Sequence, residues 1–318
     1  MHPIVALIAR RLALGVLSLW AVSLLIFAGT EILPGDVAEA MLGQSATPEA
    51  VAAIRRELGL DRPAWERYLD WLAGMLRGDL GTSYANRMPV VALVGDRLAN
   101  TLFLASVAAA VAVPLAILLG IVAVRWRETP VDRLLSAMTL SAISMPEFFV
   151  GYALIFLFAV TWPLASPIAA VHPGMALPDR LAAVALPVVT LAFVTIAHMM
   201  RMTRAAILNV MESPYIETAE LKGLARTRIV LRHALPNALS PIINVVVINL
   251  AYLVVGVVVV EVVFVYPGLG QLMVDAVAKR DVPLVQACGM IFAATYVLLN
   301  LTADVLAILT NPRLRHPR

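Results

Sequence analysis

Six stretches of this chain contain no Asp, Glu, Lys or Arg: residues 12–30, 98–124, 148–178, 181–200, 233–260 and 282–303, of 19, 27, 31, 20, 28 and 22 residues. A helix needs ~20 residues to cross the hydrocarbon of a bilayer, so each run can hold one. Of the 318 residues 61% are hydrophobic and 14% charged. Soluble domains carry roughly a quarter charged residues, so a soluble enzyme and a disordered chain are excluded. Cys288 has no second cysteine to pair with, which excludes an intrachain disulfide scaffold. Arg10 and Arg11 precede the first run, and Ala38-Glu39-Ala40 resembles a signal cleavage site. The run exceeds the about 7–15 residues of a signal core, and we read it as a retained first span.

The runs predict an all-α polytopic membrane protein with six spans, near 10–30, 99–124, 134–160, 182–203, 241–264 and 284–309. The third must include Glu147, because 148–178 holds Pro163, Pro167, Pro173 and Gly174 and its second half reads as loop. Alternate connections then sort by charge. Residues 1–11, 125–133, 201–233 and 310–318 carry 14 basic and 5 acidic residues, while 31–97, 163–180 and 265–281 carry 10 basic and 13 acidic ones. Basic loops stay inside, so both termini are expected in the cytoplasm. The chain divides into a tail and first span (1–30), an external segment (31–98), a five-helix core (99–310) containing a cytoplasmic loop at 204–240, and a tail (311–318).

Within the external segment, Thr47-Pro48-Glu49 marks a capped helix start and Gly59 its stop. A second helix over Pro63–Leu76 places Trp65, Leu69, Leu72 and Leu76 on one face, fit for the membrane surface or a partner. In the long inner loop, Ser213 can cap a helix that begins at Pro214, and Gly223 stops it, leaving Tyr215–Lys222 as a short helix outside the bilayer. Thr227–Leu235 forms a second stretch ending at Pro236-Asn237. An amphipathic connector at the headgroups would share these features.

Tyr215-Ile216-Glu217-Thr218-Ala219-Glu220-Leu221-Lys222-Gly223-Leu224, followed by Arg232-His233-Ala234-Leu235-Pro236-Asn237-Ala238, resembles the "EAA" loop of binding-protein-dependent ABC import permeases. The likeness narrows to the dipeptide, oligopeptide and nickel permeases of the first-permease type. It rests further on Leu33-Pro34-Gly35-Asp36, Leu58-Gly59-Leu60-Asp61, Arg77-Gly78-Asp79-Leu80-Gly81-Thr82-Ser83, and Glu261-Val262-Val263-Phe264 with Pro267-Gly268-Leu269-Gly270. Ser144-Met145-Pro146-Glu147-Phe148-Phe149 departs from the family in carrying Glu147 where a small polar residue is usual. The resemblance implies a type I importer fold in the bacterial cytoplasmic membrane. It makes Tyr215, Glu217, Thr218, Ala219, Lys222, Gly223, His233, Pro236 and Asn237 a coupling loop seated in a cytoplasmic ATPase. It also implies a second homologous permease, two ATPase subunits and a periplasmic or lipid-anchored solute-binding protein, with Asp79, Thr82 and Ser83 as docking candidates.

The only lysines are Lys222 and Lys279, and no G-x-x-x-x-G-K-[ST] loop frames either, so ATP and Mg are expected on partner subunits and no cofactor on this chain. The five His are scattered, with no H-E-x-x-H, no G-x-S-x-G and no metal site by spacing. No nucleic-acid role is indicated. Three acids fall in or near the spans, where an ionised group costs at least ~2.5 kcal/mol at the centre unless it faces water or a partner. Glu147, counted at about 1.5 Å per residue from Arg133, sits roughly 20 Å along span three behind the bend expected at Pro146, and is the best pathway candidate. Glu261 and Asp304 lie near span ends, where snorkelling lowers the cost; for Asp304 an interhelical contact is expected. Asn244, Asn249 and Asn300 can hydrogen-bond across helices, and Pro146, Glu261 and Asn249 join Glu147 as pathway candidates. Arg201 and Arg204 are expected at headgroups or at the loop's start. Two rivals stay open: an ion-coupled secondary transporter using Glu147 and Asp304, and, within the family, import of nickel chelate, glutathione or sugar.

Overall fold

A computed structural model describes residues 3–32 and 36–310. Leu33-Pro34-Gly35 and the tail 311–318 lie outside the described residues. The described chain is helical: α1 (Pro3–Ile32), α2 (Val37–Leu42), α3 (Pro48–Glu57), α4 (Ala64–Leu76), α5 (Val90–Arg125), α6 (Pro130–Ser144), α7 (Glu147–Ile155), α8 (Leu177–Ala183), α9 (Ala185–Met211), α10 (Pro214–Leu221), α11 (Arg226–Arg228), α12 (Leu235–Val263), α13 (Leu269–Ala278) and α14 (Val282–Thr310). Among the described residues five helices are long and apolar enough to cross a membrane, and six if the bent pair α6–α7 counts as one span.

The third span is the main departure from expectation. It is two helices meeting at 100°, so the straight count that put Glu147 roughly 20 Å along it does not apply. Met145 is extended (φ −90°, ψ 128°), as the residue before a proline prefers, and Pro146 is extended after it. Two consecutive extended residues end α6 at Ser144, and the chain restarts with Glu147 in the first turn of α7.

Pro236 does the reverse. The expected stop at Pro236-Asn237 is absent, and one helix runs from Arg226 to Val263. Pro236 has no N–H for the Arg232 carbonyl. The turn just before it, Ile229–Ala234, widens to π geometry, which absorbs the missing bond without ending the helix.

The chain forms two compact units. One comprises Met1–Ala13, Phe103–Tyr266 and Leu298–Arg318; the other Leu14–Leu102 and Pro267–Val297. In the first, Leu104, Leu191, Val257, Val260, Phe264 and Tyr266 centre one core, and Ile207, Ile216, Ile229, Val230 and Ile242 a second. Gly120 allows α5 and α9 to approach, since a Cβ there would lie 2.8 Å from the Thr203 side chain. In the second unit Val90, Val94, Leu269, Leu284 and Cys288 pack together. Here Thr47 caps α3, accepting the Ala50 N–H at 3.3 Å, and Gly59 ends the turn at φ +65°, both as the sequence predicts.

Candidate functional site

Two places gather the sequence-predicted residues of the first unit. The first is a cavity of ≈ 460 Å³ walled by α7, α9 and α12, with Glu147, Thr195, His198, Asn249 and Tyr252 as its polar lining. Glu147 reaches it because Pro146 turns the chain. Its carboxylate lies against the backbone of Gly256, where a Cβ would stand 2.9 Å from one oxygen and 3.1 Å from the other. Asn249 does not bond across helices; its Nδ2 donates to the Val245 carbonyl of its own helix at 2.8 Å.

Glu261 is not in this cavity. Instead of snorkelling at a span end it is fully buried. Close by, burial pushes the Tyr266 phenol up to about 12, against the opposing hydrogen bond from Arg180. The Arg180 guanidinium stacks 3.9 Å over the Phe103 ring. Asp304 pairs with Arg11 of α1 at 2.8 Å, the interhelical contact expected of it. Arg204, expected at headgroups or the loop's start, makes a two-pronged pair with Asp132 of α6, at 3.0 and 2.9 Å. The sequence offered no sign of that pair, because its partners are 72 residues apart.

The second place is the loop after α9. Pro214 opens α10 and Gly223 at φ +71° closes it; Ser213 is the cap residue, but its side chain makes no capping bond. Ile216 and Ala219 are buried among Val124, Ile207, Ile229, Val230 and Ala238. The spacing of three puts both on one helix face. Ala219 thus lets α10 close onto its own unit, while Tyr215, Glu217, Thr218, Glu220, Leu221 and Lys222 are exposed. Leu221 is 84% exposed, the most open large apolar side chain described. The His233 carbonyl, inside the π turn, accepts from Tyr215 Oη at 3.4 Å and Asn237 Nδ2 at 2.8 Å. The helix, the π turn and the start of α12 are therefore one hydrogen-bonded piece.

In the second unit, Asp79 Oδ1 accepts the Gly81 N–H at 2.9 Å, and Thr82 bridges to Pro89. Ser83 is not a surface residue: it is buried and donates to Asp281, which also accepts the Tyr84 and Ala85 N–H groups at 3.0 and 3.3 Å. Its part is to fix the loop that displays its neighbours. Beside that loop lies a cleft of ≈ 540 Å³ lined by charged residues, among them Glu31 and Arg67, paired at 2.8 Å. Trp65, Leu69 and Leu76 of α4 are exposed, as a membrane- or partner-facing side would be. Among the described residues no three His, Cys, Asp or Glu converge on a metal site.

Apolar spans, a cavity walled by them and a short amphipathic helix seated at their ends define a polytopic transport permease. Residues 112–316 match the family described as "Binding-protein-dependent transport system inner membrane component", and residues 4–105 match its N-terminal companion family. The chain belongs to this family: it is a permease subunit of an ABC importer, multi-pass in the bacterial inner membrane. It is 35% identical over 309 residues to the glutathione transport system permease protein GsiC of Escherichia coli (strain K12), covering 97% of this chain and 98% of the relative. It is 36% identical over 312 residues to the probable peptide ABC transporter permease protein y4tP of Sinorhizobium fredii, covering 97% and 99%.

Proposed function

We propose that this subunit imports a peptide-like solute, pairing with a second permease to enclose a path that the α7–α9–α12 cavity joins. Both termini are cytoplasmic, α10 couples to one of two ATPase subunits, and ATP and Mg are bound on those subunits with no cofactor on this chain. A periplasmic or lipid-anchored binding protein delivers the solute to the unit that displays Asp79, Thr82 and the charged cleft. The relatives named for glutathione and for peptide support the solute class.

The observation that carries this reading is the seat of α10. A surface connector held at headgroups would turn its apolar side outward to lipid. Here Ile216 and Ala219 point into the unit's own core, and the outward face offers Tyr215, Glu217, Leu221 and Lys222 to another body. Closure of the ATPases would press on that face, and the π turn and α12 would carry the displacement to the cavity wall. Glu217→Lys with Gly223→Val reverses one exposed charge and forces a β-branched residue into φ +71°. In proteoliposomes with all subunits, ATP-driven uptake is expected to fall to background. Unchanged uptake would refute the coupling role.

A further inference from the structure

The Glu147 carboxylate stands in a cavity walled by α7, α9 and α12, and among the described residues it has neither a hydrogen bond nor an ion pair. Two features nonetheless favour its negative charge. It occupies the first turn of α7, where the helix dipole is positive, and Gly256 provides room that any side chain would take. A cationic group would complement it.

The neighbours indicate what kind. Thr195 gives its hydroxyl proton to the Leu191 carbonyl at 2.7 Å, and Asn249 gives an amide proton to Val245 at 2.8 Å. Each keeps its oxygen as an acceptor beside the carboxylate, while the second Asn249 amide hydrogen, the His198 ring and the Tyr252 hydroxyl complete a mixed polar wall. Tyr252 adds an aromatic ring to the same wall. An anion would meet the Glu147 charge, and a neutral group would leave that charge uncompensated. An ammonium group brings three donors and a positive charge, and an aromatic face also attracts it.

We propose that this cavity binds the protonated amino group of the transported solute, with Glu147 as its counter-ion and Gly256 as the residue that makes room for the carboxylate. The proposal rests on the importer reading above and adds which end of the solute the permease holds. Glu147 here selects and positions; it performs no chemistry.

A zero-length crosslink tests this directly. The complete complex of both permeases and the ATPases, in lipid nanodiscs, is treated with a membrane-permeant carbodiimide and Ala-Ala-Ala amide, and amides are mapped by mass spectrometry. The amide at Glu147 is expected to saturate with peptide concentration, whereas adducts at exposed carboxylates such as Glu217 rise linearly. N,N-dimethyl-Ala-Ala-Ala amide, which keeps a charged ammonium N–H but cannot form an amide, should compete at Glu147 roughly tenfold better than N-acetyl-Ala-Ala-Ala amide, the scale of one charge-assisted hydrogen bond. Gly256→Ala should lower the saturable yield. No adduct at Glu147, a linear one, or equal competition by both peptides would overturn the proposal. A basic residue of the second permease pairing with Glu147 would show as absence of the adduct. ATP-driven uptake by the untreated complex reports separately on the importer reading, so failure of one is distinguishable from failure of the other.

Discussion

Two carboxylates hold parts of the chain that are distant in sequence, and each makes a test. Asp281 gathers Ser83 and two backbone N–H groups into one buried cluster. Removing the donor from a buried charged acceptor costs about 1.5–3 kcal/mol. Ser83→Ala is expected to cost that much in thermal unfolding of the purified chain and to make loop 83–87 accessible to protease; an unchanged melting point would deny the loop its anchor. Asp36 accepts the Ala38 N–H at 2.8 Å and pairs with Arg55. Burial pushes its carboxyl up, but the Ala38 N–H and the Arg55 guanidinium outweigh that and hold it below 3.8. A carboxyl lowered on folding adds stability that is full above its unfolded pKa and lost as pH falls through the folded one. The protection of the α2 amides relative to their intrinsic exchange rate should therefore be level above 3.8 and fall below it, and Arg55→Met should move that fall to higher pH. Single residues were legible in the sequence where the signal is local, as at Thr47-Pro48 and Ser213-Pro214. Asp132–Arg204 and Ser83–Asp281 were not, because pairing across 72 and 198 residues leaves no periodicity behind. Gly256 was silent for a related reason: its meaning is the room it gives Glu147 on another helix.

Among the elements, α10 has the most exacting seat. Its buried face is Ile216 and Ala219 on a packed core, so a larger side chain at 219 has nowhere to go. Ala219→Leu is expected to cost about 1–3 kcal/mol through overpacking and to tilt α10 off α12. ATP-driven uptake should fall severalfold while the assembled complex still forms on a sizing column; full uptake would mean the seat is not needed. Two of the prolines in the spans show what periodicity leaves open. Met145-Pro146 and Leu235-Pro236 both announce a break, and only the first becomes one. At Pro146 the preceding residue is extended and the chain turns through 100°. At Pro236 the preceding turn widens to π geometry and the helix continues. The choice belongs to packing: Ile229, Val230 and Ala234 are buried in the core that seats α10, so this turn is held helical by tertiary contact.

For the whole molecule, the net charge of +3 conceals the division that predicts the topology, +9 (14 minus 5) on one set of connections and −3 (10 minus 13) on the other, with three acids in the spans. Five of the six expected spans were legible as single helices because hydrocarbon thickness fixes helix length, and the sixth is the bent pair α6–α7. The fate of those three acids was not: one faces a cavity, one is buried by Tyr266, and one pairs with Arg11. On the proposed function, this chain moves its solute only when ATP is hydrolysed on partner subunits and the stroke arrives through α10. The most direct measurement is uptake of labelled tripeptide into proteoliposomes holding both permeases and both ATPases, with the binding protein outside and ATP within. We expect uptake that requires ATP, is lost when the ATPases are omitted, and is lost with Glu217→Lys and Gly223→Val. Uptake at the same rate without ATPases, driven by an imposed ion gradient, would contradict the account.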